Sequence, residues 1–296
     1  MSEPIKIGMG EYQISGRRVI ASTSAKLDNP PLIVALHGGG FTSSYFDCGE
    51  YSLLDRASAA GCPCIAIDRP GYGMSTRLPS GDQALASNAK LLSLVIGQLW
   101  KQRDFDASGI VLLGHSAGAG IVNHLSGLAL DWPLLGVAFS GSTASIPRDI
   151  PPFWEDLPPQ EWIRSSFESN LALLFGPPGT YAAGAPELCD KIGVPFWARE
   201  AIEMFSVFPT ELPEVGARIR VPVHCWLDDL ASVRQNAHDQ LSIFSKAYPN
   251  APSVKTTFVP RAGHCIDFHL VGKAFQEEQI AFSIDCAARA GADTTQ

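Results

Sequence analysis

The sequence predicts an α/β fold in which a mostly parallel sheet carries helices on both faces. Short, continuously apolar runs alternate with longer amphipathic stretches along most of the chain. This alternation is typical of strand–helix–strand units. One segment rich in proline and aromatic residues, 142–213, interrupts the pattern, which then resumes. With 296 residues, of which 46% are hydrophobic, the chain is long enough to bury a large core.

The individual elements follow from local hydrophobic periodicity. A β-hairpin is predicted over residues 11–25, with its turn at Ser15-Gly16. Apolar runs predict strands at residues 32–36, 64–67, 110–113 and 135–139, and the resumed alternation of strands and helices predicts two more at residues 221–227 and 254–259. Amphipathic stretches predict helices at residues 48–60, 82–102, 117–130, 232–247 and 268–290.

The interrupting segment is interpreted as a helical cap, inserted into a core formed by residues 1–141 and 214–296. Short helices are predicted in it at residues 160–175, 185–192 and 197–205, without a clear strand. The alternative is a long irregular connection, which is uncommon at this length.

Charge and composition restrict the function classes. The net charge of −8 disfavours a protein that binds the phosphate backbone of nucleic acids. No apolar run reaches the roughly 18 residues of a membrane span, and residues 1–10 lack the apolar centre of a signal peptide. The seven scattered cysteines are typical of buried free thiols. We therefore expect a cytoplasmic protein whose partner is a small-molecule substrate, not nucleic acid or membrane, and leave its oligomeric state open.

The pentapeptide G-H-S-A-G at residues 114–118 directly follows a predicted strand and opens a predicted helix. In this context G-x-S-x-G is a nucleophile elbow, which presents the serine hydroxyl above the sheet edge. The sharp turn needs glycine at both ends, and the helix N-terminus supplies free N–H groups. We predict Ser116 as the nucleophile; the alternative is a serine that caps the helix. Gly120 extends the pattern into a superficial glycine-rich nucleotide loop, but the elbow explains the spacing better.

A serine hydroxyl becomes a good nucleophile only when a base takes its proton. His264 is the predicted base because it lies in a loop after the last predicted strand. Two backbone N–H groups are expected to form the oxyanion hole. One is that of Ala117, and the other lies in the glycine-rich turn after the first central strand, at Gly39 with Gly40 as the alternative.

Together these segments resemble the α/β-hydrolase superfamily over nearly the whole chain. The resemblance rests on H-G-G-G at residues 37–40, on the elbow, on Gly263-His264 and on D-R-P-G-Y-G-M-S at residues 68–75, which is similar to the family turn D-x-x-G-x-G-x-S. It implies the α/β-hydrolase fold: an eight-stranded, mostly parallel sheet with a helical cap between strands six and seven.

The resemblance also implies an acid after strand seven, often in the pattern G-x-x-D. Here the chain reads W-L-D-D-L-A at residues 226–231, without the glycine. An ungapped alignment puts the usual position near Ala231, whereas a turn about two residues shorter would present Asp229. We predict Asp229, with Asp228 or no acid at all as alternatives. Asp267 is expected to brace the histidine loop.

These residues predict a serine hydrolase that cleaves a carboxylic ester or thioester through an acyl-enzyme, without metal or cofactor. The aromatic cap predicts a largely apolar pocket. The predicted substrate contacts are Gly38, Phe41, His115, Trp154, Trp162 and Trp197. Alternatives are an amidase, a lactonase, a carbon–carbon bond hydrolase, and a non-hydrolytic lyase, cyclase or ligand-binding protein. Epoxide hydrolases and dehalogenases would need Asp at position 116.

Overall fold

The computed structural model describes residues 1–22, 27–79, 81, 83–145, 154–229 and 237–293. The described strands are β1 (Glu3–Met9), β2 (Tyr12–Val19), β3 (Leu32–Leu36), β4 (Cys64–Ile67), β5 (Ile110–His115), β6 (Leu134–Ser140), β7 (Trp162–Ile163), β8 (Phe196–Trp197), β9 (Val223–Asp228) and β10 (Val254–Val259). The described α-helices are α1 (Leu53–Ala59), α2 (Ala84–Gln102), α3 (Ala117–Ser126), α4 (Phe167–Leu174), α5 (Ala185–Ile192), α6 (Ala198–Ser206), α7 (Phe208–Gly216), α8 (Ala237–Ala247) and α9 (Gly272–Asp293).

The described residues form an eight-stranded sheet in the order β1-β2-β4-β3-β5-β6-β9-β10. The first two pairings, β1 with β2 and β2 with β4, are antiparallel, and the remaining strands run parallel. The predicted fold class is therefore confirmed. Because the parallel strands end at the same edge, the loops after β3, β5, β6, β9 and β10 gather there.

Alternation along the strands divides the core into two layers. In β3, Leu32, Val34 and Leu36 pack with residues of α2 and α3 on one face. Ile33 and Ala35 pack with residues of α1 and α9 on the other. Both layers are buried, which explains why the central strands read as uninterrupted apolar runs.

The predicted position of the N-terminal turn is wrong. The turn lies at Gly10-Glu11, where Gly10 has a φ of +60°. The expected turn residues, Ser15 and Gly16, lie inside β2. A Cβ on Gly16 would lie 2.4 Å from the carbonyl oxygen of Ala66 in the neighbouring strand β4. This glycine permits close approach of two strands, a requirement that sequence alone does not distinguish from a turn.

The chain between β6 and β9 contains α4 to α7, as well as the two-stranded sheet formed by β7 and β8. We expected no strand in this segment, and the short antiparallel pair corrects that interpretation. Helix α7 continues to Gly216, beyond the predicted boundary at residue 213. The domain boundaries stay a prediction. Within the described residues, no helix combines the length and apolar character needed to cross a bilayer.

Candidate active site

The elbow lies between β5 and α3 and has a strained backbone. Ser116 has φ 55° and ψ −120°, a conformation that side chains rarely adopt. A Cβ on Gly114 would lie 2.6 Å from the carbonyl oxygen of Gly118, and one on Gly118 would lie 2.1 Å from that of Leu36. Any side chain at either position would collide with backbone, so the turn requires both glycines.

Ser116 lines a cavity of about 500 Å³ between the carboxyl edge of the sheet and the inserted helices. His264, Gly39, Gly40 and Ala117 line the same cavity. The structure therefore brings the predicted nucleophile, base and oxyanion residues to one space. Most of its other walls are apolar, and they include Phe41, Leu171, Leu174, Phe175, Phe196, Trp197, Met204 and Phe205. Polar lining residues include Arg164, Ser166, Ser169, Asn170, Asp190 and Glu200.

The His264 ring lies beside the elbow. Its centroid is 4.9 Å from that of His115, the residue that precedes Ser116. Gly141, just after β6, has a φ of +65°, and a Cβ there would lie 3.1 Å from Cε1 of His264 and 2.9 Å from Nδ1 of His115. Glycine at this position therefore leaves room for both imidazole rings.

A second histidine, His269, holds the loop that carries His264. Its Nε2 accepts hydrogen bonds from the N–H groups of Gly263, at 2.9 Å, and Gly176, at 3.3 Å. Its Nδ1 therefore carries the proton and donates to the carbonyl of Cys265 at 2.9 Å. Burial lowers the pKa of His269, which keeps the ring neutral. The sequence patterns did not single out this residue.

The histidine loop also packs directly against the inserted segment. A Cβ on Gly263 would lie 2.7 Å from the carbonyl oxygen of Leu174, at the end of α4. The N–H of Cys265 donates to the same carbonyl at 3.0 Å. From the other side, Asp267 accepts from the Tyr45 hydroxyl at 2.8 Å and from Nε2 of Gln276 at 2.6 Å. Burial raises the pKa of Asp267, and its contacts brace the loop.

The loop after β3, which carries the predicted oxyanion residues, is held through its carbonyl groups. The backbone N–H of Arg69 donates to Nε2 of His37 at 3.1 Å, so Nδ1 is the protonated nitrogen, and it donates to the carbonyl of Gly38 at 2.7 Å. The Arg69 Nε donates to the carbonyl of His37 at 2.7 Å. Burial, and then the Arg69 charge, hold the pKa of His37 well below its usual value, so its ring stays neutral. The N–H of Ala117 lies in the first turn of α3 and has no acceptor within that helix.

Arg69 also reaches the inserted helices. Its two terminal nitrogens donate to the carboxylate of Glu200, in α6, at 2.6 and 3.0 Å. The Tyr72 hydroxyl donates to the same carboxylate at 2.7 Å. One turn later in α6, Glu203 accepts from the first two N–H groups of α2 at 2.7 and 2.9 Å. Two buried carboxylates thus fasten α6 to the core.

The two acid candidates follow β9. Asp228 is its last residue and is buried. Asp229 is exposed, and its Oδ1 accepts from the N–H of Ala262, two residues before His264, at 3.1 Å. Neither carboxylate is among the described residues that line the cavity. The position near Ala231, and the beginning of the helix predicted from residue 232, lie outside the described residues. The choice of acid stays a prediction.

Among the predicted substrate contacts, Phe41 and Trp197 line the cavity. The other four lie outside its described lining. Trp154 stacks behind Phe205 with the ring centroids 5.1 Å apart, and Trp162 packs on the Tyr72 ring at 4.9 Å.

His115 and Gly38 lie beneath the elbow. The His115 ring is buried and stacks on Tyr45 with the centroids 4.8 Å apart. Gly38 faces Ser116, since a Cβ on it would lie 2.9 Å from the Cβ of the serine. These two residues, like Trp154 and Trp162, support the walls and floor of the site from behind.

Known proteins share this fold. A model of the alpha/beta hydrolase family matches residues 33–275. No curated protein matches the sequence significantly. Among solved structures, the chain is similar to a putative lipase from Acinetobacter baumannii AYE, with 14% identity and a TM-score of 0.68 over 97% of this chain and 93% of that one.

Two further structures show similar agreement. One is a soluble variant of monoglyceride lipase from Saccharomyces cerevisiae, in complex with a substrate analogue, with 14% identity and a TM-score of 0.68 over 95% of this chain and 94% of that one. The other is the thioesterase domain from the curacin biosynthetic pathway, with 14% identity and a TM-score of 0.63 over 95% of this chain and 99% of that one. At such identity the likeness shows the fold alone.

Proposed function

This chain belongs to the alpha/beta hydrolase family, and on that premise we propose that it is a serine hydrolase of small, largely apolar carboxylic esters or thioesters. The observation that carries the proposal is the convergence of Ser116, His264, Gly39 and Ala117 on one cavity of about 500 Å³. A cavity with apolar walls and a few convergent polar groups is the usual setting for a small-molecule substrate.

The reaction proceeds in two halves. His264 takes the hydroxyl proton of Ser116 while the Oγ attacks the substrate carbonyl, and the N–H groups of Gly39 and Ala117 stabilise the developing oxyanion. The tetrahedral intermediate collapses, His264 returns the proton to the departing alcohol or thiol, and an acyl-enzyme remains. A water molecule then attacks the carbonyl of the acyl-enzyme, with His264 as the base that takes its proton. His264 returns this proton to Ser116, and the carboxylic acid is released.

For the acid we propose Asp229, because its hydrogen bond to the N–H of Ala262 puts the carboxylate beside the loop that carries His264. An acid at this place stabilises the imidazolium that forms during the reaction. The apolar walls formed by Phe41, Trp197 and Met204 favour an acyl chain or another apolar group next to the carbonyl.

Hydrolysis of p-nitrophenyl esters tests the proposal, with Ser116→Ala as the inactive variant and a fluorophosphonate probe as the second readout. We expect turnover and covalent labelling of the wild type, and loss of both in Ser116→Ala. A wild type that binds ester analogues, as shown by a higher melting temperature, but neither turns over nor labels would contradict the proposal. It would favour a ligand-binding protein.

A further inference from the structure

We propose that Glu200 of the inserted helix α6 is a positioning residue for the oxyanion hole, acting through Arg69 and His37 on the peptide group between Gly38 and Gly39. The inference rests on the serine-hydrolase function proposed above. It assigns a role to a buried ion pair that the reaction itself does not use.

The last link is a single peptide group. The carbonyl of Gly38 and the N–H of Gly39 belong to the same trans peptide, so they point in opposite directions. His37 Nδ1 holds that carbonyl at 2.7 Å, and the Gly39 N–H must therefore point away from the imidazole. Gly38 packs directly against Ser116. The hydrogen bond from His37 thus fixes the direction of the Gly39 N–H close to where the substrate oxygen would lie.

The middle link is Arg69, which fixes both the tautomer and the backbone of His37. Its own N–H makes Nε2 the acceptor, which leaves Nδ1 to donate to Gly38. Its Nε bonds the His37 carbonyl at 2.7 Å, at the beginning of the oxyanion loop. One guanidinium therefore spans the loop and the cap.

The first link is the counter-charge. The Arg69 side chain is 0% exposed, and a buried guanidinium without an anion is strongly unfavourable. Glu200, 1% exposed, supplies that anion through two hydrogen bonds, with Tyr72 as a third partner. Because Glu200 also lines the cavity, helix α6 forms part of the wall around the substrate and also orients the N–H donor of Gly39.

This arrangement predicts which kinetic constant responds. Many of the apolar walls, among them Phe41, Leu171 and Phe175, come from elements other than α6, whereas stabilisation of the oxyanion is realised in the transition state. Loss of Glu200 should therefore lower kcat and leave KM nearly unchanged.

Glu200→Gln tests the inference, and Glu203→Gln is the matched control. Both carboxylates are buried in α6 and both anchor it to the core, but Glu203 bonds the start of α2 instead of Arg69. With p-nitrophenyl butyrate we expect kcat to fall about 10- to 100-fold in Glu200→Gln. This decrease is smaller than the one caused by removal of an oxyanion donor. KM should stay within about threefold, and Glu203→Gln should keep kcat within about threefold.

An alkylboronic acid supplies an independent readout, because its tetrahedral adduct with Ser116 places an oxygen in the oxyanion hole. Its affinity should fall in Glu200→Gln by about the same factor as kcat, while the affinity for the product carboxylic acid should not change. A purely structural role would weaken both ligands or neither.

Equal kcat values in Glu200→Gln and Glu203→Gln, or a change confined to KM, would overturn the inference. If Glu200→Gln does not fold, Arg69→Lys is the second variant, because it keeps a cation opposite Glu200 but has no Nε–H for the His37 carbonyl. We expect a similar fall in kcat, and an unchanged kcat would overturn the inference. The wild-type assay separates the two proposals: a wild type without Ser116-dependent turnover refutes the proposed function, and this inference with it, before any variant is compared.

Discussion

The backbone of Ser116 should carry measurable strain, because φ 55° with ψ −120° lies outside the regions that side chains favour. Such conformations cost about 1–3 kcal/mol for a residue with a Cβ. We predict that Ser116→Gly is more stable than Ser116→Ala. Both variants lack the hydroxyl, so their difference isolates the Cβ.

The size of the effect follows from three contributions. Relief of the strain stabilises the glycine variant by about 1–3 kcal/mol. Greater freedom of glycine in the unfolded chain offsets about 0.5–1 kcal/mol. Loss of one partly exposed carbon costs less than about 0.8 kcal/mol. The net expectation is a gain of about 1 kcal/mol, or about 2 °C in Tm for a chain of this size.

Urea unfolding of the two variants measures this difference directly. Ala119→Gly in the wild-type background is the control, since it makes the same chemical change inside α3. There glycine should destabilise by about 1 kcal/mol or more. If the alanine-to-glycine difference at position 116 has the same sign and size as at position 119, the elbow stores no strain and the reasoning fails.

Three further predictions concern the acid, the cavity and pH. Asp229→Asn should lower kcat by about 10³-fold or more, while Asp228→Asn stays within about tenfold of wild type; steady-state kinetics that rank them the other way would refute the assignment of the acid. In Gly120→Ala, the new Cβ would lie 2.6 Å from Sδ of Met204, so the sulfur must move by about 1 Å. The preferred p-nitrophenyl ester should then shift to a shorter acyl chain in Gly120→Ala and to a longer one in Met204→Ala. An unchanged preference in both variants would contradict the assignment of this cavity as the substrate site. Burial, and then the charge of Lys255, lower the pKa of His224 to about 3. The neutral ring therefore stabilises the fold above the unfolded pKa near 6.5, and this stabilisation is lost as pH falls towards about 3. Between about pH 7 and pH 5 the unfolding free energy of wild type should fall by about 2 kcal/mol more than that of His224→Gln, and equal losses in urea titrations would argue against a buried neutral ring.

The elbow and the glycine-rich loop could be predicted from sequence because local sterics determine them. Gly114 and Gly118 are needed within a five-residue turn, and the strand before it and the helix after it are visible as periodicity. The position of His264 followed from its place after the last strand. Parallel topology then brings these loops to one edge without further information.

Contacts between distant segments could not be predicted in the same way. Arg69 and Glu200 are 131 residues apart, and two acids three positions apart in α6 are ordinarily a solvated face. Trp154 and Trp162 were expected to contact substrate because they are aromatic, but packing of the inserted segment turned them towards Phe205 and Tyr72. His269 carried no signal beyond its closeness in sequence to His264.

The inserted segment touches the proposed catalytic residues' surroundings at two separate points. Leu174 supports the loop that carries His264, the proposed base, and Glu200 holds Arg69 beside the proposed oxyanion turn. A chimaera that exchanges this segment for that of a relative would therefore disturb proton transfer as well as selectivity, unless both contacts are transplanted with it. We therefore expect changes in the inserted segment of this protein to alter substrate selectivity and turnover rate together, and not independently.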